Sequence, residues 1–205
     1  MLSTRCAAAS ASRRVPAALS VRRLAAPPCR AASTVVAIGL GNMGAPLAGR
    51  IAAQHPTSAF DMAPGAADSH AAEYGSTALV SIEAVAEAVA SANVVVTCLP
   101  NTNATIASVN AVRTQLQPGT VWIDATSGKS EDAAALAEEL WEQHEVRYLD
   151  CAVSGGPKGA TNGILAALVR RTNSRCRWLL LLLLLLAAAA AAPRTVLQGG
   201  CPTLT

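Results

Sequence analysis

Short unbroken apolar runs take turns with stretches of helical spacing along the middle of the chain. Residues 34–38 (TVVAI) are apolar and rich in β-branched side chains, as a strand buried on both faces would be. A glycine cluster follows, and then 46–53, where Leu47 and Ile51 stand one helical turn apart among alanines and predict a helix. The alternation continues with a strand over 58–61, a helix over 66–74 and a strand over 78–80. Ser81 is a suitable N-cap for a helix over 82–90, and the run 93–99 (NVVVTCL) reads as another buried strand. A helix over 103–116 is stopped by Pro118 and Gly119. A strand over 121–124, an acidic helix over 130–144, a strand over 146–151 and a last strand over 162–169 complete the series. Strands joined to helices through short connections predict an α/β fold, a doubly wound and mainly parallel sheet with right-handed crossovers.

Composition agrees with that pattern. The chain has 205 residues, enough for one domain with tails; 52% are apolar and only 3% aromatic. Its core must therefore be built from Ala, Val, Leu and Ile. The net charge of +3 conceals three unlike parts. Residues 1–33 carry six Arg and no acid, residues 34–169 carry all thirteen Asp and Glu against five Lys and Arg, and residues 170–205 carry five Arg and no acid. An acidic middle excludes a uniformly basic nucleic-acid binder. The acid-free, Arg- and Ser-rich start has no apolar run long enough for a secretory signal. It is expected to be an organelle-import presequence, mitochondrial in preference to chloroplast because its Arg are frequent and paired. The six Cys form no CxxC and predict no disulfide framework. The three His show no metal spacing, so no metal site is expected.

The chemistry begins where the first strand ends. Gly39-Leu40-Gly41-Asn42-Met43-Gly44 closes that strand and opens a helix, the context that a dinucleotide-binding turn of Rossmann type requires. Gly39 allows the tight turn, Gly41 leaves the backbone free to approach a pyrophosphate, and Gly44 lets the helix pack close to the sheet. Asp61 ends the second strand, where a carboxylate accepts from a ribose 2′-hydroxyl and repels a 2′-phosphate; with no Arg close behind it, NAD is expected rather than NADP.

The run from Ala37 to Ala48 resembles the opening of the β-hydroxyacid dehydrogenases, a group that includes 3-hydroxyisobutyrate dehydrogenase, plant glyoxylate reductases and, more distantly, 6-phosphogluconate dehydrogenases. Three more stretches match in order. Thr97-Cys98-Leu99-Pro100 resembles the loop after the fourth strand, and Asp124-Ala125-Thr126-Ser127-Gly128 resembles the Asp-x-(Ser/Thr)-(Ser/Thr) loop near the nicotinamide ribose. Asp150-Cys151-Ala152-Val153-Ser154-Gly155-Gly156 resembles the substrate loop, with Ala152 where the family usually has Pro. Ala104 stands where some members place an Asn, and Asn103 beside it is a substitute.

The resemblance implies that Gly39, Leu40, Gly41, Asn42, Met43, Gly44, Asp61, Leu99, Pro100 and Ser127 hold the cofactor and that Ser154, Gly155 and Gly156 hold a small hydroxy acid. It implies NAD-dependent oxidation, most like that of 3-hydroxyisobutyrate to methylmalonate semialdehyde in valine breakdown. Members of the family are usually homo-oligomers. The alternative within the same chemistry is an NADP-linked glyoxylate or succinic semialdehyde reductase. The family's general base is a Lys on a helix beyond the Ser-Gly-Gly loop, in a helical second domain. The only lysines here, Lys129 and Lys158, stand at neither that position nor its equivalent, so no catalytic residue is assigned and the chain as written is expected to be inactive. The resemblance covers 34–169. Residues 170–205, with eight Leu and six Ala in succession, read as out-of-frame or intronic sequence joined to a shortened chain. The fifteen apolar residues 178–192 fall short of the roughly twenty that span a bilayer. A second alternative, a non-catalytic dinucleotide-binding protein anchored by that run, is carried alongside.

Overall fold

The computed structural model describes residues 33–170 and 196–197. The chain divides into Met1–Arg30 and Ala31–Thr205, and the first unit lies outside the described residues. So do the expected presequence over 1–33, apart from Ser33, and the expected tail over 170–205, apart from Arg170, Val196 and Leu197. The apolar run 178–192 is among them. No helix among the described residues is long and apolar enough to cross a membrane.

The elements follow in the order β1 (Val35–Ile38), α1 (Gly44–Ala52), β2 (Thr57–Phe60), α2 (Ala66–Tyr74), β3 (Thr77–Ala78), α3 (Ile82–Ser91), β4 (Val94–Thr97) and α4 (Thr102–Val112). After α4 comes a 3-10 turn (Arg113–Gln115), and then β5 (Val121–Asp124), α5 (Ser130–His144), β6 (Arg147–Ser154), α6 (Gly156–Asn162), β7 (Ala166–Arg170) and β8 (Val196–Leu197). The sheet order is β3-β2-β1-β4-β5-β6-β7-β8. Strands β1 to β6 are parallel, β7 runs antiparallel to β6, and β8 runs parallel to β7. The chain moves outward from β1 to β3, then returns to the other side of β1 and continues with β4. This is the doubly wound Rossmann order, and its switch point lies between β1 and β4.

Successive strand residues face opposite sides, and the core divides accordingly. Val36, Ile38, Val95, Trp122 and Tyr148 meet α3, α4 and α5 through Val85, Val89, Val109, Val112, Leu136 and Leu140. On the other face Val35, Val94, Val96, Ile123 and Leu149 pack with Ile51 of α1. There, too, Ala37, Ala48, Ala59 and Ala67 bring α1 and α2 close to the sheet.

The structure departs from the expected elements at β3, at the start of α4 and, most of all, at the far end. Strand β3 covers Thr77–Ala78 rather than 78–80, although the Leu79 N–H still donates to the Ala59 carbonyl at 2.9 Å. Helix α4 starts at Thr102, because Asn101 caps it by accepting from the Ala104 N–H at 3.0 Å. Strand β6 runs on through Ser154 because β7 pairs with it from Asp150 to Ser154. Residues 156–162 form helix α6, which the expected strand over 162–169 overlapped; the strand itself begins at Ala166.

Candidate functional site

Strand β1 ends into a turn that tolerates no side chain at two of its three glycines. Gly39 holds φ +96° and donates its N–H to the Phe60 carbonyl at 2.9 Å, tying the turn to β2. A Cβ on Gly39 would strike the Cys98 carbonyl at the end of β4, and one on Gly44 would strike the Gly39 carbonyl. Gly44 is thus needed by the turn itself, and only secondarily for its approach to Cys98. A Cβ on Gly41 would meet nothing within 4 Å, so this glycine leaves the turn's outer side bare. Met43, the N-cap of α1, offers no side-chain acceptor; Pro46 has no N–H and the Ala45 N–H donates to the Gly41 carbonyl at 3.0 Å, which leaves the Gly44 amide of the first turn for a ligand. Uncapped amides at the positive end of a helix dipole favour an anion.

Asp61 is bound to that turn. Its Oδ2 accepts from the Leu40 N–H at 2.6 Å and its Oδ1 from the Ala63 N–H at 2.8 Å, which leaves the carboxylate half-buried at the end of β2. Leu40 contributes only this amide; its side chain is buried with Ala48 and Ala59.

A cleft of about 740 Å³ opens over the switch point. Of the residues singled out in the sequence, Gly39, Gly41, Asn42, Met43, Gly44, Asp61, Leu99, Pro100 and Ser127 line it. Leu40, Ser154, Gly155 and Gly156 do not; among the substrate-loop residues Val153 does. Ser154 ends β6, Gly155 is the N-cap of α6 and Gly156 its first residue. Ala104 lines the cleft, and its neighbour Asn103, the expected substitute, does not. Lys129 and Lys158 are exposed and lie off the lining. Sequence reasoning missed Met62 and Ile82, exposed apolar residues on the Asp61 side; Met62 is 91% exposed, a solvent-facing position that apolar patterning alone does not flag. Cys98, also on the lining, has its thiol pushed up to about 11 by burial and by the nearby Asp124 charge, so it remains neutral.

Beneath the Leu99 and Ser127 side of the cleft lies a network among β4, β5, β6 and α4. Asp124 is 5% exposed. Its Oδ1 accepts from the Thr97 hydroxyl at 2.8 Å, the Thr126 N–H at 3.0 Å and, more weakly, the Thr105 hydroxyl at 3.4 Å. Its Oδ2 accepts from the Tyr148 hydroxyl at 2.6 Å. The Trp122 Nε1–H donates to Thr97 at 3.2 Å, and the Leu99 N–H donates to the Thr126 hydroxyl at 3.0 Å. The Lys129 N–H donates to the Thr102 hydroxyl at 2.9 Å, tying the β5–α5 loop to the start of α4. Burial and the Asp124 charge push the Tyr148 phenol far up, so it stays a donor. On the opposite face, Arg50 of α1 donates from Nη2 to the Thr161 carbonyl at 2.6 Å and from Nε to the Ala160 carbonyl at 3.1 Å, holding the C-terminal end of α6.

A family model described as the NAD binding domain of 6-phosphogluconate dehydrogenase matches residues 34–194, extending past Val169, where the resemblance read from the sequence ends. The protein named "Probable 3-hydroxyisobutyrate dehydrogenase" of Mycobacterium tuberculosis (strain ATCC 25618 / H37Rv) is 38% identical over 146 residues, 71% of this chain and 48% of that protein. The Drosophila melanogaster protein named "3-hydroxyisobutyrate dehydrogenase, mitochondrial" is 30% identical over 139 residues, 67% of this chain and 41% of that protein. Among solved structures, the Mycobacterium tuberculosis 3-hydroxyisobutyrate dehydrogenase with L-serine superposes with a TM-score of 0.66 at 35% identity, covering 81% of this chain and 55% of that one. The chain spans about half the length of the curated relatives it matches.

Proposed function

Because the chain belongs to the family of the NAD-binding domain of 6-phosphogluconate dehydrogenase, we propose that it is the cofactor-binding half of an NAD-dependent dehydrogenase of small 3-hydroxy acids, with 3-hydroxyisobutyrate of valine breakdown as the favoured substrate. The names of the two curated relatives support the substrate class, and L-serine in the Mycobacterium structure is itself a 3-hydroxy acid.

One observation carries the cofactor reading: the half-buried Asp61 carboxylate, fixed by the Leu40 amide at 2.6 Å, stands beside a helix N-terminus without a side-chain cap, both facing one cleft. The residues fit a dinucleotide. The bare side of Gly41 and the Gly44 amide at the N-terminus of α1 would take the pyrophosphate. Asp61 would accept from the adenosine ribose, and its charge would repel a 2′-phosphate, which favours NAD over NADP. With the adenosine on the β2 side, the sheet order sends the other half over β4 and β5. There Leu99 and Pro100 form a wall and Ser127 offers a hydroxyl to the second ribose. Ser154 and the amides of Gly155 and Gly156, next to Val153, would hold the acid's carboxylate.

When bound, the nicotinamide supplies hydride transfer. The described residues at the cleft bind and orient, and none among them is assigned as a base. Among the described residues lining the cleft the ionisable side chains are Asp61, engaged by two amides, and Cys98, which holds its proton. Binding without turnover is the expected behaviour of the chain as written. The acid-free basic start and the mitochondrial relative support a mitochondrial location.

Equilibrium dialysis of the full chain against NAD+ and NADP+ tests the reading. It predicts retention of NAD+ with an affinity about tenfold above that for NADP+, the size of one lost ribose bond plus repulsion. Preference for NADP+, or retention of neither, contradicts it.

A further inference from the structure

Asp124 is unusual among the buried polar groups. Every contact it makes is to a group able to donate, and the Thr126 backbone N–H can only donate. Hydroxyl and amide donors on both oxygens suit a carboxylate. Among the described residues no Lys, Arg or His pairs with it. A buried charge without a cation is expensive, and the donors from Thr97, Thr126 and Tyr148 offset only part of that cost. The residues directly following it, Ala125 and Ser127, line the cleft, and its negative charge reaches the cleft-lining Cys98. A negative charge therefore lies beneath the part of the cleft that the sheet order gives to the nicotinamide.

We propose that Asp124 is a specificity-determining group for the redox state of the cofactor, its charge favouring the cationic nicotinamide of NAD+ over the neutral ring of NADH. The inference rests on the dinucleotide reading above and deepens it. Asp124 touches no cofactor atom itself; it acts through its field, while its hydrogen bonds to Thr97 and Thr126 hold β4 and the β5–α5 loop in place. The arrangement suits a chain that loads the oxidised form and releases the reduced one.

The test compares Asp124→Asn with Tyr148→Phe in the full chain by calorimetric titration with NAD+, NADH and ADP-ribose. Asn keeps the volume and an acceptor for Thr97 and Thr126, and the Tyr148 hydroxyl can turn to accept from its amide. At an effective dielectric of about 20, loss of a full charge near the ring should shift the NAD+ to NADH affinity ratio about tenfold towards NADH. Affinity for ADP-ribose, which lacks the ring, should change by less than about threefold. Tyr148→Phe removes a hydrogen bond but no charge, so it should leave the ratio within about twofold. A D124N chain with an unchanged ratio overturns the proposal while leaving dinucleotide binding intact. Failure of all three ligands to bind the wild-type chain overturns both it and the reading beneath it. If D124N does not fold, the wild-type chain decides the matter with a dinucleotide carrying neutral benzamide in place of nicotinamide. Binding about tenfold weaker than NAD+ upholds the proposal, and equal binding refutes it.

Discussion

Replacing Asp61 by Ala should separate its two duties. The carboxylate accepts from the Leu40 N–H at 2.6 Å and from the Ala63 N–H at 2.8 Å. Leu40 is buried, so its amide would lose a charge-assisted bond; Ala63 is exposed, and water would replace its partner at little loss. The stability penalty is therefore that of one bond, about 1–2 kcal/mol after allowance for the carboxylate's partial exposure. On the ligand side, NAD+ loses the acceptor for its 2′-hydroxyl, about tenfold in affinity, whereas NADP+, which carries a phosphate there and makes no such bond, loses only a repulsion. Calorimetric titration of D61A at a temperature well below its unfolding midpoint should show NAD+ weakened by about tenfold and NADP+ changed by less than about threefold. Circular dichroism should show the fold retained. Equal weakening of both cofactors would mean that Asp61 acts only by shaping the glycine turn, and the discrimination assigned to its charge would be wrong.

Three further outcomes follow from the same structure. Gly44→Ala puts a methyl group against the Gly39 carbonyl, so dinucleotide binding should fall by more than tenfold, while Gly41→Ala, facing open space, should lower it without loss of thermal stability. His70 is buried, with Nε2–H donating to the Ala45 carbonyl at 3.1 Å and Nδ1 2.7 Å from the Ser76 hydroxyl, and its pKa lies below 6.5 chiefly through burial. The unfolded chain then takes up the proton first as pH falls; the stability from neutral His70 is full above about 6.5 and declines below it towards the folded value. Thermal unfolding followed between pH 8 and pH 5 should show that decline, and His70→Gln should flatten it. Finally, 3-hydroxyisobutyrate and NAD+ mixed with the 205-residue chain should give no NADH absorbance at 340 nm; steady NADH formation would show that a base has been overlooked.

Much of the first half was legible because its signals are local. The β1 run, the glycine turn and Asp61 lie within one βαβ unit, and the Ser81 cap accepts from the Ala84 N–H at 3.2 Å as an N-cap serine does. Helices α2 and α5 have the bounds that spacing alone predicted. The far end was not legible because its causes are distant in sequence. Gly156–Asn162 contains poor helix formers, and its C-terminal carbonyls are held by Arg50, more than a hundred residues earlier. Strand β6 continues past Cys151 because β7 pairs beside it, a partner invisible to periodicity within β6. Asp124 was read as part of a loop near a ribose. The structure instead buries it among Thr97, Thr105, Thr126 and Tyr148, which come together only when β4, α4 and β6 assemble around β5. Ser154, Gly155 and Gly156 also lie off the main lining, at the end of the extended β6 and the start of α6.

Amide chemical-shift mapping of the full chain with NAD+ tests the central claim most directly, that the cleft over the β1–β4 switch point holds the dinucleotide. The account predicts the largest shifts at Gly41, Asn42, Met43 and Gly44, with others at Asp61, Leu99 and Ser127, and none at Lys158. Saturable shifts confined to other surfaces, or no shifts at millimolar NAD+, would contradict it.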